Sequence, residues 1–306
     1  LQDDMTDAVV YFSDQTHSSI ERALRILGFQ PGQLRKLPAD ADFRLTPTIV
    51  QREVEADRAA GRKPFCLIAN AGTTNTGAID PLPALAEVCR NEGLWLHVDG
   101  AYGAASVLCE EGRSLLAGLE LADSVVIDPH KWLFQPYEIG CVLVRDSRWL
   151  RETFHILPEY LKDIERAEEE INFCDYGPQL TRGFRALKLW MSLKVFGLEA
   201  FAQAIARGIE QARIAERILR ESPVWEVVTP AQLGILTFRY VLPERSGEEI
   251  DALNLAMLEK LMDSGFAMLS STTLRGRVVL RMCTINPRTT ENDLREIIQH
   301  LEETGQ

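Results

Sequence analysis

The sequence predicts an α/β fold, with a large domain on a mostly parallel sheet followed by a small C-terminal α+β domain. Three observations predict it. Through the first two-thirds, short continuously apolar runs alternate with amphipathic stretches, and strands buried on both faces of a parallel sheet read in this way. Helical periodicity then dominates from about Phe184 to Arg220, with Gly197 as a break. Beyond Ser222-Pro223, strand-like runs and helices return in a different order. There is no internal repeat and no low-complexity tract.

In chain order, Ala8–Phe12 reads as a buried strand and Ser18–Leu27 as the helix after it, with Ser18 or Ser19 as its cap. Phe65–Ala69 is a strand, Leu82–Asn91 a helix, and Leu94–Val98, Ser124–Ile127 and Gly140–Val144 are strands. In the last third, Val224–Val228, Ile235–Tyr240 and Val278–Cys283 are strands, and Glu248–Ser264 and Thr290–Thr304 are helices. The domain boundary falls within 195–222, giving a large domain of about 1–205 and a small one of about 206–306. The acidic run Glu165–Glu170 reads as a solvated loop or helix start.

Composition narrows the function. A chain of 306 residues, 46% hydrophobic and 25% charged, can bury a substantial core. Its 45 acidic against 33 basic residues leave a formal charge of −12, which argues against a nucleic-acid or anionic-membrane surface. Six scattered cysteines without a C-x-x-C pair suit reduced thiols better than a disulfide frame or a zinc site. No metal is expected. No apolar run approaches a membrane span, and the N-terminus has no signal-peptide pattern, so the cytoplasm is the expected compartment.

Lys131 stands in Asp128-Pro-His-Lys-Trp132, just after an apolar strand. A lysine there either snorkels its charge to the surface or, held among apolar neighbours, acts as an imine-forming nucleophile. Asp99 closes the run Leu94–Asp99, at the strand edge where ligands bind in open α/β sheets. A carboxylate there needs a cationic partner. A salt bridge or helix cap would supply one, as would a protonated pyridine nitrogen, which the carboxylate would in turn keep protonated as an electron sink. Lys131 follows Asp99 by 32 residues, a spacing that can bring neighbouring strand ends to one cofactor, and Gly100 and Gly103 permit close approach of a planar ring.

His17 follows the first strand and can stack on such a ring or serve as an ordinary loop residue. Ala71–Gly77 follows the Phe65–Ala69 strand, and its glycines and hydroxyls suit a loop around a polar ligand or any turn. The loop is not a P-loop, and G-x-G-x-x-G, H-E-x-x-H and G-x-S-x-G are missing from the sequence.

Taken together, His17-Ser-Ser19, Gly72-Thr-Thr74, His97-Val-Asp-Gly-Ala-Tyr102, Asp128-Pro-His-Lys-Trp132 and Phe184–Trp190 resemble the group II pyridoxal 5′-phosphate (PLP) dependent amino-acid decarboxylases. The chain is most similar to the aromatic-L-amino-acid decarboxylases, over roughly its first 190 residues. The resemblance implies the aspartate-aminotransferase-like fold (fold type I), a homodimer, and decarboxylation of an L-amino acid, expected to be aromatic. It implies that Lys131 holds PLP as a Schiff base and Asp99 pairs with the pyridine nitrogen. His17 would stack on one ring face and Ala101 on the other, while Thr74, His130 and Asp128 would lie about cofactor and substrate. Tyr160, within a lid at about 157–176, would protonate the substrate carbon, so that Lys131, Tyr160, His17 and His130 form the expected catalytic set.

Three departures accompany the resemblance. The family's Ser/Thr-Gly-rich phosphate-cradling segment has no counterpart among the sixteen residues before His17, so the sequence reads as N-terminally incomplete. Asp128 replaces a common Asn. Thr181 stands where plant relatives place Gly or Ser, and its hydroxyl points toward a phenolic substrate. The alternatives are a sister decarboxylase acting on glutamate, histidine or 2,4-diaminobutyrate, an aldehyde synthase, which Tyr160 opposes, and a non-catalytic remnant of the fold.

Overall fold

The computed structural model describes residues 5–156 and 171–305. The first sheet is laid down by β1 (Ala8–Ser13), β2 (Leu34–Leu37), β3 (Lys63–Asn70), β4 (Trp95–Asp99), β5 (Ser124–Ile127) and β6 (Cys141–Val144), in the order β2-β1-β3-β4-β5-β6. All neighbours run parallel except β6, which closes one edge antiparallel to β5. The second sheet is antiparallel, with β7 (Trp225–Gln232), β8 (Ile235–Tyr240), β9 (Ser270–Leu274) and β10 (Arg277–Cys283) in the order β7-β8-β10-β9. The expected architecture, a mostly parallel sheet followed by a smaller α+β unit, is the one found.

Alternation along the strands distributes two cores. Val9, Tyr11, Leu67, Leu96 and Val98 face α2 (Pro47–Ala59) and α3 (Leu82–Glu92), meeting Val50, Val54, Leu82 and Leu85. On the opposite face, Val10, Phe12, Cys66 and Ile68 pack with Leu24 of α1 (Ser18–Ile26) and with Phe29. Every residue of β1 is therefore buried, which is why it reads as an unbroken apolar run. A carboxylate inside the first core is held by charge pairing. Asp57 accepts from Tyr11 Oη at 2.9 Å and from Arg35 Nε at 2.9 Å. Short helices α4 (Glu110–Leu115) and α5 (Ser147–Phe154) flank β5 and β6 in sequence.

The long helix α6 (Ala186–Arg220) breaks at Gly197, whose φ of 76° only glycine adopts readily. Beyond the break, Ile205 and Ile209 pack with Trp132, Ala105 and Leu233, while Ala212, Ala215 and Leu219 enter the core of the second sheet. That core is completed by α7 (Gly247–Asp263) and α8 (Glu291–Gly305). Before the break, Trp190, Met191, Val195 and Phe196 are 52–71% exposed. Against the expectation that no apolar run nears a membrane span, α6 meets that length and composition, with a window of mean hydropathy 1.2. Its segment before Gly197 is about 16 Å long, roughly half of a bilayer core.

Candidate active site

The carboxyl ends of β1, β3, β4 and β5 lie side by side, and each is followed by one of the segments singled out from the sequence. Backbone hydrogen bonds join the strand ends. Ala71 N donates to Asp99 O at 2.8 Å, Gly100 N to Val126 O at 3.1 Å, and Asp128 N to Ala101 O at 3.0 Å. The segments carrying His17, Thr74, Asp99, Ala101, Asp128, His130 and Lys131 thus come to one sheet edge. Tyr160 lies outside the described residues. So does most of the segment expected to be a lid, of which Phe173–Tyr176 forms a single 3-10 turn.

Asp99 ends β4, half-buried, and its Oδ1 accepts from Ala101 N at 3.1 Å. No cationic side chain pairs with it among the described residues. Lys131 sits in the turn after β5, where its N–H donates to Asp128 O and its Nζ pairs with Asp128 Oδ2 at 2.9 Å. Its side chain keeps 41% of its surface open, so the amine is reachable. Asp128 thereby holds the lysine. His130 Nδ1 faces the Ile139 backbone, 2.6 Å from its carbonyl oxygen and 3.2 Å from its nitrogen, and Nε2 is 3.9 Å from Asp128 Oδ2.

His17 is exposed and caps α1 itself, correcting the expectation that a serine does so. Its Nδ1 accepts from Ser19 Oγ at 2.8 Å and Ser19 N at 3.3 Å, which leaves the ring proton on Nε2. The turn before it is fixed from β3. Asn70 Nδ2 reaches Thr16 Oγ1 at 3.1 Å and Asp80 Oδ2 at 2.9 Å. Asp80 is buried and also accepts from Leu45 N and Asn70 N, both at 2.7 Å. Desolvation pushes its carboxyl up to about 6 against the pull of those hydrogen bonds. This network was missed in the sequence, because Thr16, Leu45, Asn70 and Asp80 meet only in the folded chain.

The 72–77 loop is shared with the second sheet. Exposed Thr74 offers its carbonyl to Arg281 Nε of β10 at 2.6 Å, and Asn75 Oδ1 accepts from Thr272 of β9 at 3.0 Å. Gly77 makes the approach possible, since a Cβ there would stand 2.5 Å from the Gln232 carbonyl, and φ is +74°. Ala101 is half-buried beside Asp99, and Thr181 is exposed. All six cysteines are unpaired, and among the described residues no cluster of His, Cys, Asp or Glu is placed to hold a metal.

Residues 2–241 match the pyridoxal-dependent decarboxylase conserved domain. The chain belongs to the pyridoxal-dependent decarboxylase family. It is 50% identical over 303 residues to an aromatic-L-amino-acid decarboxylase of Bacillus atrophaeus, covering 98% of this chain and 63% of that protein. It is 35% identical to a phenylacetaldehyde synthase of Arabidopsis thaliana, covering 96% of this chain and 61% of the relative. Among solved structures, an Oryza sativa TDC with PLP and tryptamine superposes with a TM-score of 0.91 at 32% identity, covering 98% of this chain and 63% of that one. This decarboxylase-family chain thus spans somewhat under two-thirds of the length of the relatives it matches.

The residues present fit a pyridoxal cofactor. A half-buried carboxylate with no cationic partner among the described residues suits a protonated ring nitrogen, and a reachable lysine amine one turn beyond a neighbouring strand suits imine formation.

Proposed function

We propose that this chain forms the cofactor-bearing core of a PLP-dependent decarboxylase that converts an aromatic L-amino acid to its amine and CO₂. The observation that carries the reading is the placement of Asp99, lacking a cationic side-chain partner among the described residues, and Lys131 after adjacent strands of one sheet edge. The aromatic-L-amino-acid decarboxylase from Bacillus atrophaeus, at 50% identity, supports the substrate class.

Lys131 would hold the cofactor through its amine, and Asp128 would keep that amine oriented until the bond forms. Asp99 would keep a proton on the pyridine nitrogen. When bound, PLP supplies the electron sink for cleavage of the substrate's carboxylate carbon. His17, its ring fixed by Ser19 and by the Asp80–Asn70–Thr16 chain, would present a planar face to cofactor and substrate. His130, with Nδ1 committed to Ile139, would offer Nε2 toward the substrate side. By the family resemblance, Tyr160 would return a proton to the substrate carbon.

The homodimer expected from the resemblance is also proposed. Its support is the segment of α6 before Gly197, where the apolar side chains of Trp190, Met191, Val195 and Phe196 are all exposed.

The test is a product assay. The protein is incubated with PLP and L-tyrosine, tryptophan, phenylalanine, Dopa, glutamate, histidine or 2,4-diaminobutyrate, and the products are identified by mass. An amine from an aromatic substrate supports the reading. An aldehyde, an amine from glutamate, histidine or 2,4-diaminobutyrate alone, or no product from a protein that binds PLP would overturn it.

A further inference from the structure

Beneath Asp99 on the same face of β4, at spacings of two residues, lie His97 and Trp95. Leu96 and Val98 turn the other way into the core. Both aromatic residues reach one hydroxyl on the neighbouring strand. Trp95 Nε1 lies 2.8 Å from Ser124 Oγ, and His97 Nδ1 lies 2.8 Å from the same oxygen. Ser124 is buried and faces His97 in the β4–β5 register.

The proton inventory of this trio has one fully satisfied solution. An indole N–H can only donate, so Ser124 Oγ accepts from Trp95. The hydroxyl keeps one proton, and the acceptor in reach is His97 Nδ1. If His97 Nδ1 carried a proton instead, the buried Ser124 proton would lose its acceptor, at a cost of about 1–3 kcal/mol. Nδ1 is therefore the bare nitrogen, and the ring proton sits on Nε2. Desolvation also holds the imidazole below its ordinary range, against the opposing pull of Asp99.

We infer that His97 is a positioning residue for Asp99: the Trp95–Ser124 chain fixes it as the neutral Nε2-protonated tautomer, so no internal cation competes for the Asp99 carboxylate. A cationic His97 would give Asp99 a permanent partner and weaken its hold on a ring nitrogen. A neutral one leaves the charge for the cofactor while still filling the space beneath it. The functional half of this inference rests on the proposed PLP reading, whereas the tautomer does not.

The tautomer is read by ¹⁵N NMR of the protein with labelled histidines, with and without PLP, assigning His97 by its loss in His97→Gln. The expected result is a neutral ring, bare at Nδ1, in both states. Ser124→Ala should release the tautomer, shift the visible band of the PLP-loaded protein, and lower kcat by about tenfold, the scale at which outer-shell partners act. KM should stay within about twofold if the contact serves the ring and not the substrate. Ser124→Thr, which restores a hydroxyl, should recover all of these. Should Ser124→Ala not fold, Trp95→Phe replaces it, since loss of the indole donor lets Ser124 accept from His97 and should likewise release the tautomer. A protonated Nδ1 in the unsubstituted protein overturns the inference, whatever the product assay shows. So does a variant whose tautomer, visible band and kcat are unchanged. If the tautomer is as stated but PLP does not bind, the inference about Asp99 fails together with the functional reading, while the tautomer assignment stands.

Discussion

Tyr102 and Trp132 stack face to face, with ring centroids 4.5 Å apart and planes only 5° from parallel. One ring follows Asp99 by three residues and the other follows Lys131 by one. The pair therefore ties the segment bearing the carboxylate to the segment bearing the amine. Trp132 is fully buried, and Tyr102 is desolvated enough that its hydroxyl is pushed well above the ordinary range.

Removing one plate should loosen both segments. Trp132→Ala is expected to cost about 3–5 kcal/mol of stability and to weaken PLP binding in step. Trp132→Phe should cost far less, because the indole Nε1 is buried with no hydrogen-bond partner among the described residues and its removal strands none of them. Urea midpoints and PLP titration of the two variants test this. Equal losses would refute the stacking account.

Asp99→Asn removes the charge but keeps the shape. It should retain Lys131-dependent absorbance while kcat falls by about 10²–10³-fold, the scale of losing one preorganised electrostatic contact. Steady-state kinetics with the best substrate of the panel provides the check. A loss under about threefold would remove Asp99 from the role given to it.

Asp80 predicts a pH effect on stability. Burial raises its carboxyl from 3.8 to about 6 in the folded protein. The folded state then binds the proton more tightly than the unfolded one, and this contribution is full below 3.8 and lost as pH rises through about 6. The expected loss is on the order of 2–3 kcal/mol. Asp80→Asn should lack that slope, yet be less stable throughout, because its amide sets an N–H against those of Leu45 or Asn70. Urea unfolding of both proteins between about pH 4 and pH 7.5 is the measurement. Parallel curves would mean that Asp80 is not the titrating group.

Phe196→Glu places a charge in the exposed apolar segment of α6, where Phe196 is 68% exposed. The substitution should leave the circular dichroism unchanged and convert a dimer to monomer in light scattering. A variant that stays dimeric would move the interface elsewhere.

Arg281→Met keeps the bulk of the side chain but frees the Thr74 carbonyl. PLP affinity is expected to drop by about tenfold, equivalent to one net hydrogen bond of roughly 1.4 kcal/mol. Thr272→Val should act in the same direction and less strongly, since it removes a neutral hydroxyl contact to Asn75.

What could be read from the sequence followed the apolar pattern. Ser124–Ile127 and Ile235–Tyr240 fall where their mostly apolar runs place them, and Gly197 breaks its helix as expected. β2, Leu-Arg-Lys-Leu, was missed because its two central residues are charged and it lies at the sheet edge. β9, Ser-Ser-Thr-Thr-Leu, carries no apolar alternation and is also an edge strand. In α2, Asp57 occupies a buried position that would ordinarily be apolar, and its partners Tyr11 and Arg35 lie on other elements. The candidate site residues other than Tyr160 could be placed at one sheet edge because they cluster in short motifs after strands. Their supports could not, since Asn70 meets Thr16, and His97 meets Ser124, only once strand register is known.

The loop bearing Thr74 is covalently part of the parallel sheet but is fastened by Arg281 and Thr272 to the antiparallel one. It works as a drawbar between two bodies. A substitution in β9 or β10 can be felt at the rim where PLP would sit without changing any residue that touches the reacting atoms. Variation in the C-terminal third is thus a route by which one catalytic frame could be retuned for different side chains, and a library confined to β9 and β10 would explore it.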